Sequence, residues 1–215
     1  MSYQRQKPID ILDRDDLDIL MAACGNSVTG IRNRALLAVL YFSGLRSCEA
    51  LALRVCDVRM NDDGTATVNV RHGKGGKQRI VTLAAPGVRD LSEWLTVRAH
   101  AVGCARTSPL FCTHATGKTM QPGKPLETAY LRAMLARLSD KVNLGKRIHA
   151  HGFRHAHASY LHHRGVPVAA IQAQLGHSSP LTTVAYLASI GAHDAHRHIA
   201  AAFTDQSVEL ADSVE

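Results

Sequence analysis

One stretch of alternating apolar and polar residues interrupts a sequence whose periodicity is otherwise helical. Residues 65–71 (TATVNVR) and 79–83 (RIVTL) repeat every two positions, as strands do, and they flank the turn-rich segment HGKGGKQ. Two such runs joined by a short glycine-rich segment predict an antiparallel hairpin. The chain must therefore fold as helices around one small sheet, which favours a mainly α or α+β domain.

The helical parts show recognisable beginnings and ends. Asp13 is a suitable cap for a helix over about 14–24, and Gly44 ends a second helix over about 30–43 that has one apolar face. A short helix is expected over 47–54, and residues 103–125 are expected to form a loop around a brief strand at 109–111. Further helices are predicted over 86–101, 126–142, 152–164, 167–175, 180–188 and 193–203.

Composition excludes several classes of protein. The chain of 215 residues is 46% hydrophobic and 20% charged, so it can form a packed core. Its longest apolar run, residues 35–42, is too short to span a bilayer, and the N-terminus lacks the apolar segment of a signal peptide. The five cysteines form no C-x-x-C pair and are interpreted as reduced, mostly buried thiols. We expect a cytoplasmic protein without a membrane partner.

Positive charge is concentrated in the second half of the chain. Residues 1–90 carry a net charge of +3 and residues 91–203 carry +8, whereas residues 204–215 contain four acidic residues and no basic one. Such a basic body indicates a polyanionic partner, and nucleic acid is favoured because no basic amphipathic membrane anchor is present. We interpret residues 1–203 as one domain and residues 204–215 as an acidic tail.

Four segments contain the candidate functional residues. They are residues 43–51 (SGLRSCEAL), 73–79 (GKGGKQR), 151–155 (HGFRH) and 175–186 (LGHSSPLTTVAY). In this order and at these separations they resemble the catalytic domain of the tyrosine recombinases, the phage-integrase and Xer-like family, over about residues 10–203. The resemblance implies a mainly α (α+β) fold, a helical bundle with a small antiparallel three-stranded sheet.

The arginines suit chemistry on a DNA phosphodiester. When a protein hydroxyl attacks such a phosphate, negative charge gathers on the nonbridging oxygens and calls for fixed cations. The planar fork of arginine binds phosphate in a bidentate manner and stays charged at any working pH. Arg46 and Arg154 match the positions that clamp the scissile phosphate in the family, although either one alone would be interpreted as a surface or ion-paired arginine.

Tyr186 matches the nucleophile of the family. A tyrosine hydroxyl can form a covalent phosphotyrosine, but its pKa near 10 means that it needs help to lose its proton. His151 is the candidate base or proton relay, because histidine titrates near neutrality. His177, nine residues before Tyr186, would hold the phosphate or the nucleophile in place.

The glycine-rich segment supplies a candidate general acid. Lys74 is our choice as the proton donor to the leaving 5′ oxygen, with Lys77 as a near alternative that the sequence does not separate from it. The simpler interpretation of this segment is a solvated basic turn that contacts phosphate nonspecifically. Lys77 and Arg79 are assigned to DNA binding.

Two further residues are assigned supporting roles. Glu49 would fix an active-site histidine or arginine, and His155 would support the residues beside it. The thirteen histidines invite a metal interpretation, but no H-E-x-x-H motif or cysteine pair completes a site, so we expect neither a metal nor another cofactor.

The resemblance implies a site-specific DNA recombinase that cuts and rejoins strands through a covalent 3′-phosphotyrosyl intermediate. Its expected partners are double-stranded DNA, three further copies of the chain in a tetrameric synapse, and accessory DNA-bending proteins. The N-terminal core-binding domain common in the family is expected to be absent, because the catalytic domain begins near residue 10. Two alternatives remain at this point: a catalytically silent DNA-binding module of the same fold, and a type IB topoisomerase that relaxes a single duplex.

Overall fold

The computed structural model describes residues 12–71, 78–115, 121–146 and 148–177. Within these ranges the three strands are β1 (Val58–Met60), β2 (Ala66–Val70) and β3 (Arg79–Leu83), and a 3₁₀ turn over Val55–Asp57 leads into β1. The helices are α1 (Arg14–Ala23), α2 (Val28–Ser43), α3 (Ser47–Leu51), α4 (Ala85–Val102), α5 (Thr128–Val142), α6 (Ala150–His163) and α7 (Val168–Leu175). The helices predicted over 180–188 and 193–203 and the acidic tail lie outside the described residues.

Helix α2 is the centre of the core. Every residue from Ala35 to Ser43 is buried, because α1, α4 and α6 pack around the helix and β3 contacts it as well. The prediction of a single buried face was therefore too narrow. On α4, Gly87 permits the close approach: a Cβ there would lie 2.7 Å from Leu83 Cδ1 and 2.9 Å from Phe42 Cβ.

The predicted ends of the first two helices are confirmed. Asp13 caps α1, with the Asp16 amide donating to Asp13 Oδ1 at 2.8 Å and the Asp13 amide donating back to Asp16 Oδ2 at 3.0 Å. Gly44 ends α2 in the left-handed region, at a φ of +65°. A Cβ at Gly44 would also lie 2.5 Å from His157 Cδ2, so the turn brings the end of α2 directly against α6.

The three-stranded antiparallel sheet that the family resemblance predicts is present, with the strands in the order β1-β2-β3. The predicted hairpin is β2 and β3, paired with Val68 opposite Val81. The strand pattern did not identify β1, because the strand has only three residues, of which Val58 is partly buried and Arg59 and Met60 are exposed, without alternation. Because β3 is the last strand in this order, it is an edge strand. One of its faces packs inward, since Val81 and Leu83 face the core whereas Ile80 is 70% exposed.

The connection between α4 and α5 differs from the prediction. Instead of a strand at 109–111, the chain forms isolated bridges, one of which pairs Pro109 with Arg54. Pro109 cannot donate to a ladder, and the Leu110 amide reaches Leu53 O at 2.7 Å instead. Trp94 is fully buried and donates from Nε1 to Leu110 O at 2.9 Å, which fixes this loop on α4.

The cysteines are free, but the prediction that most of them are buried was wrong. Cys112 is buried, whereas Cys48 and Cys104 are exposed and Cys24 and Cys56 are partly exposed. In the part of the chain that the structure describes, no helix is both long and apolar enough to cross a membrane.

Candidate active site

The turn between α2 and α3 presents Arg46 beside a buried carboxylate. Gly44 ends α2, Leu45 is fully buried, and Arg46 follows as the residue that precedes α3. The Arg46 amide donates to Glu49 Oε2 at 2.9 Å, and Arg46 Nη1 donates to Glu49 Oε1 at 2.9 Å. About a quarter of the Arg46 side chain, 26%, stays exposed. The guanidinium is thus oriented by Glu49 and still accessible.

Glu49 holds a second arginine in a bidentate pair. Arg79, at the start of β3, donates from Nη1 to Oε1 and from Nη2 to Oε2, both at 2.8 Å. Burial by itself raises the pKa of Glu49, but the bonds from Arg79 and Arg46 outweigh it and lower that pKa to about 2. The carboxylate is ionised at neutral pH and shared by two guanidinium groups, so this cluster carries net positive charge.

Strand ends on both sides of residues 72–77 are anchored in the same way. Arg79 follows this segment, and Arg71 precedes it. Arg71 Nε donates to Asp57 Oδ1 at 2.6 Å, and its Nη2 contacts Cys56 Sγ at 3.0 Å. The Asp57 side chain is only 3% exposed. Buried carboxylates therefore bind the side chains of Arg71 and Arg79, the two arginines that flank this segment.

Arg154 lies inside the protein, where α6 meets the ends of two other helices. It is 1% exposed, and it donates from Nη1 to Gly44 O at 2.8 Å and from Nη2 to Leu175 O at 2.6 Å. Both carbonyls belong to helix C-terminal ends, which carry partial negative charge and suit a buried cation. The guanidinium is held in one orientation by α2 and α7 together.

His177 follows directly after the end of α7. Gly176 ends that helix with a φ of +66°, and a Cβ there would lie 2.6 Å from Arg79 Nε, so the guanidinium packs on the glycine backbone. Burial, followed by the positive charges of Arg154, Arg46 and Arg79, lowers the pKa of His177 to about 4. Its imidazole is therefore neutral at pH 7 and lies within electrostatic reach of all three arginines.

His151 and His155 lie one turn apart on α6, and their rings meet edge to face with centroids 4.5 Å apart. Burial, followed by the charge of Arg154, lowers the pKa of His151. Burial, followed by its neighbours His151 and His149, lowers the pKa of His155 to about 4. The His151 side chain stays accessible, and because its pKa is lowered its imidazole is neutral at pH 7 and can accept a proton.

The site as a whole is cationic and contains neutral bases. Three guanidinium groups come from the N-terminus of α3, from β3 and from α6, and they face the histidines on α6 and after α7. Because arginine matches the geometry of phosphate oxygens, such a site can hold a phosphodiester while an imidazole moves a proton.

Comparison with known proteins identifies the family. The model of the phage integrase family matches residues 10–193, most of the chain. The chain belongs to the phage integrase family.

The chain spans about half the length of the relatives that it matches. Tyrosine recombinase XerC from Xanthomonas campestris is 33% identical over 176 residues, 82% of this chain and 50% of the relative. Tyrosine recombinase XerD from Staphylococcus aureus is 31% identical over 186 residues, 86% of this chain and 59% of the relative. A solved structure of XerH site-specific recombinase, bound to palindromic difH substrate in a post-cleavage complex, is 29% identical with a TM-score of 0.67 and covers 82% of this chain and 48% of that one.

The structure brings together four of the residues that the resemblance to the phage integrase family singled out. Arg46, His151, Arg154 and His177 lie around one cationic site, and their catalytic roles stay predictions. Three other residues with predicted catalytic or DNA-binding roles, Lys74, Lys77 and Tyr186, lie outside the described residues.

The supporting residues have specific partners. Glu49 was expected to fix either a histidine or an arginine of the site, and in the structure its partners are Arg46 and Arg79. Arg79 was expected to bind DNA, and that role stays a prediction. In the structure both of its Nη atoms donate to Glu49, the carboxylate that also binds Arg46. His155 is buried against His151, in a position to limit the movement of that ring.

Several residues that build the site were not found from the sequence. Gln174 and the Asp57–Arg71 pair are examples, and for Gln174 the available signal was a polar residue near the end of α7, a helix that also carries Gln172. The histidine-rich helix α6 also contains a residue with a packing role, since His157 bonds through Nδ1 to Tyr41 O at 2.7 Å. Among the described residues, no group of three or more His, Cys, Asp or Glu is placed to hold a metal ion.

Proposed function

We propose that this chain is the catalytic part of a site-specific DNA recombinase, which cuts and rejoins strands through a covalent 3′-phosphotyrosyl intermediate at Tyr186. The single observation that supports this most strongly is the cluster of Arg46, Arg154 and two neutral histidines around one site in a member of the phage integrase family. The relatives named above as tyrosine recombinases favour strand exchange over the relaxation of a single duplex.

Each step of the reaction has a candidate residue. The Tyr186 oxygen attacks the scissile phosphorus, and the bond to the 5′ oxygen of the next nucleotide breaks. Arg46 and Arg154 stabilise the charge on the nonbridging oxygens, and His151 accepts the phenolic proton. Lys74 donates a proton to the departing 5′ oxygen, and His177 orients the phosphate. The reverse sequence, with a 5′ hydroxyl from another strand, rejoins the DNA.

The role of Glu49 follows from its contacts. It orients Arg46 directly and ties it to Arg79, and Arg79 in turn packs on Gly176, next to His177. The phosphate-binding arginine is therefore oriented before substrate arrives, which reduces the reorganisation required in the transition state.

Double-stranded DNA is the proposed substrate. Recombination between two duplexes requires four cleavages, so we propose assembly of four copies on DNA, with accessory DNA-bending proteins as further partners. Residues 1–203 would form the catalytic domain and residues 204–215 an acidic tail, and the protein would act where DNA is accessible, in the cytoplasm of a bacterium.

Cleavage of nicked duplexes tests this proposal. A nick just beyond the scissile phosphate lets the short fragment that carries the new 5′ hydroxyl diffuse away, which traps the covalent complex. We expect a detergent-resistant DNA–protein complex from the wild type and none from Tyr186→Phe, whose DNA affinity should stay within about tenfold because one hydroxyl is lost. The substrate pool should cover the DNA next to the protein's own gene. DNA binding by the wild type with no complex formed would contradict the proposal and favour a silent DNA-binding module.

A further inference from the structure

The side chain of Gln174 joins α7 to both α2 and β3. Its Oε1 accepts from the Thr82 amide at 3.0 Å, and its Nε2 donates to Thr82 O at 2.7 Å and to Ser43 O at 3.0 Å. One amide group thus makes three hydrogen bonds to main-chain atoms of two other elements. Gln174 lies only three residues before His177.

The contact with Thr82 uses the free edge of the sheet. Because β3 pairs with β2 on one side only, the amide and carbonyl of Thr82 point outward, and the primary amide of Gln174 takes the place of a neighbouring strand. A glutamine amide offers the donor and the acceptor that this requires. Thr82 also lies three residues after Arg79, so the same contact fixes α7 relative to Arg79.

The contact with Ser43 lies beside the partners of Arg154. The carbonyl of Ser43 accepts from Gln174, and the next carbonyl, that of Gly44, accepts from Arg154. The carbonyl of Leu175, the residue after Gln174 on α7, also accepts from Arg154. Gln174 and Arg154 therefore bind adjacent carbonyls at the end of α2, and Arg154 also binds the residue next to Gln174 on α7.

We propose that Gln174 is a positioning residue that holds the end of α7, and with it His177, against β3 and the arginines of the site. The expected effect of Gln174 on DNA cleavage rests on the proposed function, whereas its contacts with Thr82 and Ser43 involve no DNA. Gln174 touches no reacting atom in this account, and it acts through the placement of His177 and of the chain that leads from it.

The first test is a titration of His177 in the free protein. Burial, together with the nearby charges of Arg154, Arg46 and Arg79, keeps the pKa of His177 at about 4. Gln174→Met keeps the size of the side chain and removes all three hydrogen bonds. We expect the pKa of His177, followed by NMR of the imidazole and assigned with His177→Gln, to rise by at least one unit in this variant. A pKa that stays within about 0.3 unit of the wild type would overturn the proposal.

A control variant separates positioning from general loss of stability. Leu20→Val removes one buried methylene on α1, far along the chain from α7, and should lower the thermal midpoint without moving the pKa of His177. Gln174→Glu can still accept from the Thr82 amide but faces two carbonyl oxygens with a carboxylate. In Gln174→Glu the pKa of His177 should therefore rise as it does in Gln174→Met. A pKa of His177 that stays at the wild-type value in Gln174→Glu would contradict the need for the Nε2 donor.

Single-turnover cleavage provides the second test. We expect Gln174→Met to slow formation of the covalent complex by ten- to a hundredfold while DNA affinity changes less than threefold, since misplacement by about 1 Å can have such an effect. If the wild type cleaves DNA and Gln174→Met forms the covalent complex at the same rate, the catalytic part of the proposal is overturned. Absence of cleavage by the wild type would count against the proposed function itself, and the titration would then decide the role of Gln174.

Discussion

Removal of the charge on Glu49 is expected to destabilise the protein far more than removal of a matched charge on its surface. The Glu49 side chain is 2% exposed and accepts four hydrogen bonds, two from Arg46 and two from Arg79. Glu49→Gln keeps the shape of the side chain but leaves the guanidinium of Arg79 without its counter-charge inside the protein.

The size of the effect follows from the pKa of Glu49. That pKa is lowered from 4.5 to about 2 in the folded protein, because the arginine bonds outweigh the effect of burial. A difference of about 2.5 units corresponds to about 3 kcal/mol of folding free energy. A folded-state pKa below the unfolded one stabilises the protein fully above pH 4.5, and this contribution is lost as the pH falls toward 2. At neutral pH the whole contribution is present.

Urea unfolding at pH 7 measures this difference, with Glu93→Gln as the control. Glu93 pairs with Arg34 at the same 2.8 Å separation, but its side chain is 46% exposed. We expect Glu49→Gln to lower the free energy of unfolding by about 3 kcal/mol and Glu93→Gln to lower it by less than about 1 kcal/mol. Equal losses in the two variants would refute the claim that the buried pairing of Glu49 with Arg46 and Arg79 organises the site.

Three further predictions concern other parts of the site. Arg154→Lys should reduce single-turnover cleavage by about a hundredfold or more, because one ammonium cannot reproduce the fork held by Gly44 and Leu175, whereas the exposed Arg14→Lys should cleave normally. Lys74→Ala should regain activity on DNA whose 5′ leaving atom is sulfur, which needs no general acid, and rescue of Lys77→Ala alone would reassign the acid. Acidification from pH 7.5 to 5.5 should lower the free energy of unfolding by about 4 kcal/mol: burial lowers the pKa values of His155, His157 and His177 to about 4, so the unfolded chain binds more protons in this range. An unfolding free energy that is flat over this range would contradict the burial of these histidines.

Local sequence patterns predicted those features of the fold that local chemistry determines. The cap at Asp13, the helix end at Gly44 and the β2–β3 hairpin each depend on a few neighbouring residues, and all three are present. The burial of every residue from Ala35 to Ser43 was not predictable from periodicity, because it depends on α4 and α6, which lie far away in the chain and pack against α2. The short strand β1 forms because β2 is beside it, with little tendency of its own.

In the candidate site, too, sequence motifs predict some residues, whereas contacts between distant parts of the chain are not predictable. The resemblance to the family singled out Arg46, His151, Arg154 and His177 as candidates, and the structure brings them together. The ion pair between Glu49 and Arg79 joins residues thirty positions apart, and no local pattern distinguishes such an arginine from one that faces solvent. The partners of Arg154 are main-chain carbonyls, which every residue carries, so sequence alone does not identify them.

The most direct test of this account is to identify the atom that links the protein to cleaved DNA. Mass spectrometry of the detergent-resistant complex, after nuclease and protease digestion, locates the modified residue, and labelling of the released strand identifies the free DNA end. We predict an adduct between Tyr186 and a 3′ phosphate, with a free 5′ hydroxyl on the released fragment. An adduct at another residue, a 5′-phosphate linkage, or DNA cut without any linkage to the protein would contradict the proposed chemistry.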